Sequence, residues 1–104
     1  MKKVGLVTVF FNSPGVLPDF YSSVEKQNYQ NKHLYIVDNS TNQDSFNLTQ
    51  EILLEKDINY TYINNEGNNV GVAQANNQGI EQALKDGCEY ILLTNNDLLF
   101  EQED

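Results

Sequence analysis

Three observations predict an α/β protein with a doubly wound, mainly parallel sheet in three layers, α/β/α. Short apolar runs alternate along the chain with helical patterns. The first run is apolar on both faces, as a strand covered from both sides must be. Polar residues collect where the runs end, and in a parallel sheet with right-handed crossovers those ends share one rim. Residues 1–104 read as a single domain, with no internal boundary, repeat or low-complexity tract.

The first run, Val4 to Phe11, stops at Asn12-Ser13-Pro14-Gly15, where Ser13 can cap and Pro14 can open a helix. Leu17, Phe20, Tyr21 and Val24 then lie at i, i+3, i+4, i+7, one face of a helix ending near Gln27. Pro18 belongs in its first turn, because later it would break the helix. The second run, Leu34 to Val37, ends in Asp38-Asn39-Ser40, and a helix from Asp44 to Glu55 follows with Leu48 and Ile52 toward the sheet. Ile58 to Ile63 alternates strictly, the pattern of a half-exposed or edge strand. A polar loop, Asn64 to Asn69, leads to a helix whose small-residue face is Val72, Ala75, Gly79 and Ala83, closed by Gly87 at C′. The fourth run, Tyr90 to Leu93, reads as a buried strand and ends in Thr94-Asn95-Asn96-Asp97. The expected strand order is 3-2-1-4.

Composition narrows the partners. Six Lys and Arg against 15 Asp and Glu leave a net charge of −9, too few cations to neutralise a row of phosphates, so nucleic-acid binding is excluded. An anionic membrane surface repels such a chain. No apolar run approaches the ~20 residues of a membrane helix, and no small-residue cleavage site follows the first run. The single Cys88 excludes an internal disulfide and points to a reducing cytosol.

Several standard sites are missing. Neither a Gly-x-x-x-x-Gly-Lys-Ser/Thr loop nor Gly-x-Gly-x-x-Gly occurs. A lone His33 and a lone Cys88 build neither a zinc site nor a Cys-His nucleophile; His33 reads as a surface residue and Cys88 as a small buried hydrophobe. A receiver domain needs an acidic pair after the first strand, and Phe10-Phe11-Asn12 supplies none. Two acidic stations remain. Asp38 can accept a hydrogen bond from a ring N–H such as the imide of uracil or thymine, or it can close its own loop as an Asx-turn. Asp97 beside two amides offers oxygen ligands to a hard divalent cation, or caps a following element. Gly67 to Gly71, ahead of a helix, can present backbone N–H groups to a phosphate or form a plain turn.

These residues resemble the N-terminal half of the family 2 glycosyltransferases, which have the GT-A nucleotide-sugar-binding fold. Val7-Thr8-Val9-Phe10-Phe11-Asn12-Ser13 is similar to the family's opening strand, Leu17 to Gln27 to its first helix, and Ile36-Val37-Asp38-Asn39-Ser40 to its second strand. Asn69-Val70-Gly71-Val72-Ala73-Gln74-Ala75-Asn76-Asn77-Gln78-Gly79-Ile80 matches the stretch Asn-x-Gly-x-Ala-x-Ala-x-Asn-x-Gly-Ile, and Tyr90 to Asp97 resembles the strand leading to an Asp-x-Asp metal motif. The resemblance implies a Rossmann-like half of a GT-A fold. It also implies that Phe10 and Phe11 border the base, that Asp38 binds the pyrimidine, and that Ser40, Gly71, Asn77, Asn95 and Asn96 complete the nucleotide site. Asp97 would hold Mg2+ or Mn2+ on the diphosphate, where the ion neutralises charge on the leaving group. Phe11 replaces the usual Tyr, and Asn95 stands where the first Asp of the metal motif normally sits.

The resemblance further implies a donor-binding part of a transferase that moves a sugar from a uridine or thymidine diphosphate sugar to a glycan acceptor. Rhamnosyl-type members have a similar helix-and-strand pattern, which implies a polysaccharide or rhamnan pathway and leaves the donor sugar open. Members of the family carry their acceptor site and catalytic base further downstream; Glu101 to Asp104 follow the metal motif too closely for that role and read as a solvated tail. The chain is therefore expected to be a truncated N-terminal domain, inactive alone, cytoplasmic and peripheral to the membrane in the full-length protein. The alternative is a non-catalytic nucleotide- or protein-binding module on the same half fold, its alternating third strand offering an edge for self-association.

Overall fold

The computed structural model describes residues 3–11, 15, 17–26, 31–41, 43–54, 58–65, 68 and 70–94. Element order is β1 (Val4–Phe10), α1 (Leu17–Lys26), β2 (Lys32–Asp38), α2 (Asp44–Leu53), β3 (Tyr60–Asn64), α3 (Val72–Lys85) and β4 (Tyr90–Thr94). The strands form one sheet in the order β3-β2-β1-β4, and every pairing is parallel. This is the expected order, and the parallel sense brings all four carboxyl ends to one rim. Ser13, Pro14 and Asn95 to Asp104 lie outside the described residues.

Strand alternation sorts the core into two layers. Val4, Leu6 and Phe10 of β1 with Leu34 and Ile36 of β2 face α1, burying Leu17, Phe20, Tyr21 and Val24 as their helical spacing predicts. On the other face Val7 and Tyr35 meet Ala83 and Cys88. Pro18 occupies the first turn of α1, where its missing N–H has no intrahelical partner to lose. Gly79 brings α3 close to the sheet: a Cβ there would stand 2.5 Å from Val7 Cγ1. Gly87 takes φ 86° after the Asp86 C-cap, the left-handed conformation expected of a C′ glycine.

Three expectations need correction. The buried stripe of α2 is Ser45, Thr49 and Leu53, while Leu48 and Ile52 are half-buried at its margin. Leu48 and Ile52 do pack against the core, but apolarity alone missed the two hydroxyl residues that are fully buried. His33 is not a plain surface residue: it is half-buried, its Nε2 lies 2.8 Å from Thr61 Oγ1, and its ring packs on Tyr35. Nor is β4 a buried strand, since Leu92 and Leu93 are 39% and 57% exposed. Among the described residues β4 pairs with β1 alone, and its side chains are exposed or half-buried along its length. No helix among the described residues is long and apolar enough to cross a membrane.

Candidate functional site

Register places Phe10, Asp38 and Asn64 side by side at the carboxyl ends of β1, β2 and β3. Asp38 is the charged group of this row and only 2% exposed. Its even position on β2 turns the side chain toward the layer of α1 and α2, where β3 also presents Tyr62. The Ser40 backbone N–H donates to Asp38 Oδ1 at 2.9 Å, the Asx-turn that the spacing allowed. The Tyr62 hydroxyl donates to Oδ2 at 2.5 Å. Each carboxylate oxygen thereby holds one donor and keeps acceptor capacity for another.

Behind this pair lies a second one: Tyr21 of α1 and Thr49 of α2 are hydrogen-bonded at 2.7 Å. Burial, then the hydrogen bond to Asp38, pushes the Tyr62 phenol far above the ordinary tyrosine range. Burial does the same to Tyr21, against a lowering contribution from Thr49. Both phenols therefore stay protonated and remain donors. The Tyr62 ring is edge-packed against Phe10 and Phe46, which fixes the direction of its hydroxyl.

A second network, of amides, ties the rim together. Asn39 is buried; its N–H donates to Phe10 O at 2.8 Å and its Nδ2 to Gly71 O at 3.3 Å. Asn65 Nδ2 donates to Asn39 Oδ1 at 2.7 Å and to Gln78 Oε1 at 3.1 Å, while Gln78 Nε2 returns a bond to Asn65 Oδ1 at 3.2 Å. The loop after β3 and the N-terminus of α3 are thus fixed to the end of β2. Gly71, at φ 88°, is the N-cap of α3 and supplies no side-chain cap.

The residues singled out from the sequence divide in three. Asp38, Ser40 and Gly71 meet at this rim. Phe10 lies beneath it, 1% exposed, in a cluster with Phe20, Tyr21 and Tyr62, whereas Phe11 is exposed. Asn77 is exposed on α3; two residues from both Ala75 and Gly79, it lies about 200° around the helix from that sheet-facing pair. The structure does not bring Asn77 to Asp38, and Gln78 takes the inward place instead. Asn95, Asn96 and Asp97 lie outside the described residues. Among the described residues no cluster of three or more His, Cys, Asp or Glu side chains could hold a metal. Tyr62, Thr49, Asn39, Asn65 and Gln78 were missed by sequence reasoning. For Tyr62 a signal existed in the strict alternation of its strand, which put Tyr60 and Tyr62 on one face.

Comparison with known proteins follows the same lines. The model of a family described as glycosyl transferase family 2 matches residues 6–104. A crystal structure of S. aureus TarS, residues 1–349, superposes with a TM-score of 0.75 at 22% identity, over 93% of this chain and 28% of that one. A second S. aureus TarS structure gives the same score and identity, with 17% of its length covered. The chain thus spans under a third of the solved structures whose fold it shares. No curated protein matches significantly.

Proposed function

The chain belongs to glycosyl transferase family 2, and from that premise we propose that the Asp38 rim binds the donor, a uridine or thymidine diphosphate sugar. The observation that carries this reading is the state of Asp38: buried, held on both oxygens, and still able to accept. A pyrimidine imide presents one ring N–H, the complement of one remaining acceptor position. Adenine has no ring N–H to offer. The N-terminus of α3, tied to β2 through Asn39 and Gly71, lies where the positive end of the helix dipole favours the diphosphate.

The metal belongs to the same proposal. A carboxylate and two amide oxygens at Asp97, Asn95 and Asn96 form an all-oxygen donor set suited to Mg2+ or Mn2+. β4 runs parallel to β1, so the chain leaves Thr94 at the rim that holds Asp38. Bound there, the ion would supply charge neutralisation on the diphosphate leaving group. The chain spans 28% of the TarS structure it resembles; the acceptor site and catalytic base are assigned to the remainder of such a protein, and this chain alone should transfer no sugar. Cytoplasmic location, peripheral to the membrane, and a rhamnosyl-type donor complete the reading. A second reading, a non-catalytic module that self-associates, is favoured by the exposed leucines of β4.

Calorimetric titration with uridine, thymidine and adenosine diphosphates tests the first reading. The pyrimidine diphosphates should bind and the purine should not. Asp38→Asn should weaken binding about tenfold or more with or without metal, since a charge-assisted hydrogen bond is lost. Asp97→Asn should weaken it only when Mg2+ or Mn2+ is present. Equal binding of all three nucleotides, indifferent to Asp38→Asn, would remove the assignment.

A further inference from the structure

We propose that Tyr62 is a positioning residue for nucleotide recognition: its hydroxyl fixes the Asp38 carboxylate in the orientation that accepts the base. The inference rests on the pyrimidine reading of the Asp38 rim and adds to it a residue on a different strand.

A carboxylate at a strand end can rotate about its terminal torsion, which is broad and roughly two-fold. The Ser40 N–H restrains one oxygen from within the same loop. That single bond still permits the other oxygen to swing. Tyr62 removes this freedom from outside the loop, 24 residues further along the chain, by donating to Oδ2. The ring delivering that hydroxyl is held between Phe10 and Phe46. The buried carboxylate therefore meets its ligand already oriented, and the nucleotide does not bear the entropy of ordering it.

The consequence is specific. Tyr62 acts on the nucleotide through Asp38, so its contribution should vanish when Asp38 can no longer serve. A double-mutant cycle reads this coupling. The probe is uridine diphosphate, titrated against the wild type, Tyr62→Phe, Asp38→Asn and the double variant. Tyr62→Phe keeps the ring and its packing, and should weaken binding about three- to tenfold. In the Asp38→Asn background the same change should cost less than about twofold. Tyr21→Phe, which removes a hydroxyl that does not touch Asp38, serves as the structural control. It should lower the melting temperature while leaving affinity within about twofold. Equal losses from Tyr62→Phe in both backgrounds would show a general structural effect and overturn the positioning role. A penalty for Asp38→Asn with none for Tyr62→Phe would overturn it too, while leaving the pyrimidine reading intact. Failure of uridine diphosphate to bind the wild type would overturn both.

Discussion

Gly79 sets how closely α3 can lie on the sheet. A methyl group there would meet Val7 Cγ1 at 2.5 Å, with Val37 Cγ2 at 3.4 Å. Alanine in a helix interior normally gains about 1 kcal/mol over glycine. Overpacking a fully buried contact costs about 1–3 kcal/mol, and an approach this short belongs at the upper end. Gly79→Ala should therefore lower stability by about 1–2 kcal/mol in urea denaturation, and Val7→Ala in the same chain should recover part of that loss. Ser45 presents the opposite case. Its hydroxyl is buried and, among the described residues, has no hydrogen-bond partner, so it carries a desolvation cost without return. Ser45→Ala should raise stability by about 1–2 kcal/mol, helped by the better helix propensity of alanine; a fall in the denaturation midpoint would show that the hydroxyl is satisfied in solution. At this scale the sequence was legible only in part. Asp38 stood out because a carboxylate directly after an apolar run is chemically conspicuous. Tyr62 did not, because its role depends on strand register, and a tyrosine in an alternating strand looks the same whether or not its hydroxyl finds a carboxylate.

Elements were easier to read than contacts. The face of α1 followed from the spacing of Leu17, Phe20, Tyr21 and Val24, since burial of one stripe is what a helix on a sheet requires. For α2 the same rule was incomplete: Leu48 and Ile52 pack at the core's margin, while the fully buried positions include Ser45 and Thr49, the latter satisfied by Tyr21. The pairing of β2 with β3 carries a pH-dependent contribution through His33, which bonds to Thr61 and packs on Tyr35. Burial, then the charge of Lys3, lowers its pKa from 6.5, while Asp86 pulls the other way. The unfolded chain consequently binds the proton more readily than the folded one. Stability is whole above the unfolded value and declines as pH falls from about 6.5 toward the lower folded value. His33→Gln should flatten the melting temperature between pH 7 and about 5.5, above the range where carboxylates titrate. A wild type with an equally flat profile there would mean that folding leaves the histidine proton affinity unchanged.

On the scale of the whole molecule, the two sheet edges differ in kind. β3 is half-buried along its length, with Tyr60 and Tyr62 packed against the core of the α1 and α2 layer. Among the described residues β4 pairs with β1 alone; its Leu92, level with Leu6, and Leu93, level with Val7, point to opposite faces and both are exposed. An apolar run such as Tyr90 to Leu93 reads identically whether or not something covers it, which is why its exposure was not legible in the sequence. An unpaired strand edge with apolar side chains on both faces is a template for pairing with another chain. Against this acts the net charge of −9, which drives copies apart. Salt screens that repulsion, shortening its range from about 30 Å at 0.01 M to about 8 Å at 0.15 M, and leaves the apolar attraction in place. Association of this chain should therefore grow with ionic strength, the reverse of contacts built on opposite charges. Sedimentation velocity across a salt series measures it directly. Leu93→Lys places a charge on the open strand with little cost to folding, since the position is 57% exposed, and should keep the protein monomeric throughout the series. A wild type that remains monomeric at every salt concentration, or a Leu93→Lys protein that associates equally well, would show that β4 is not the adhesive edge.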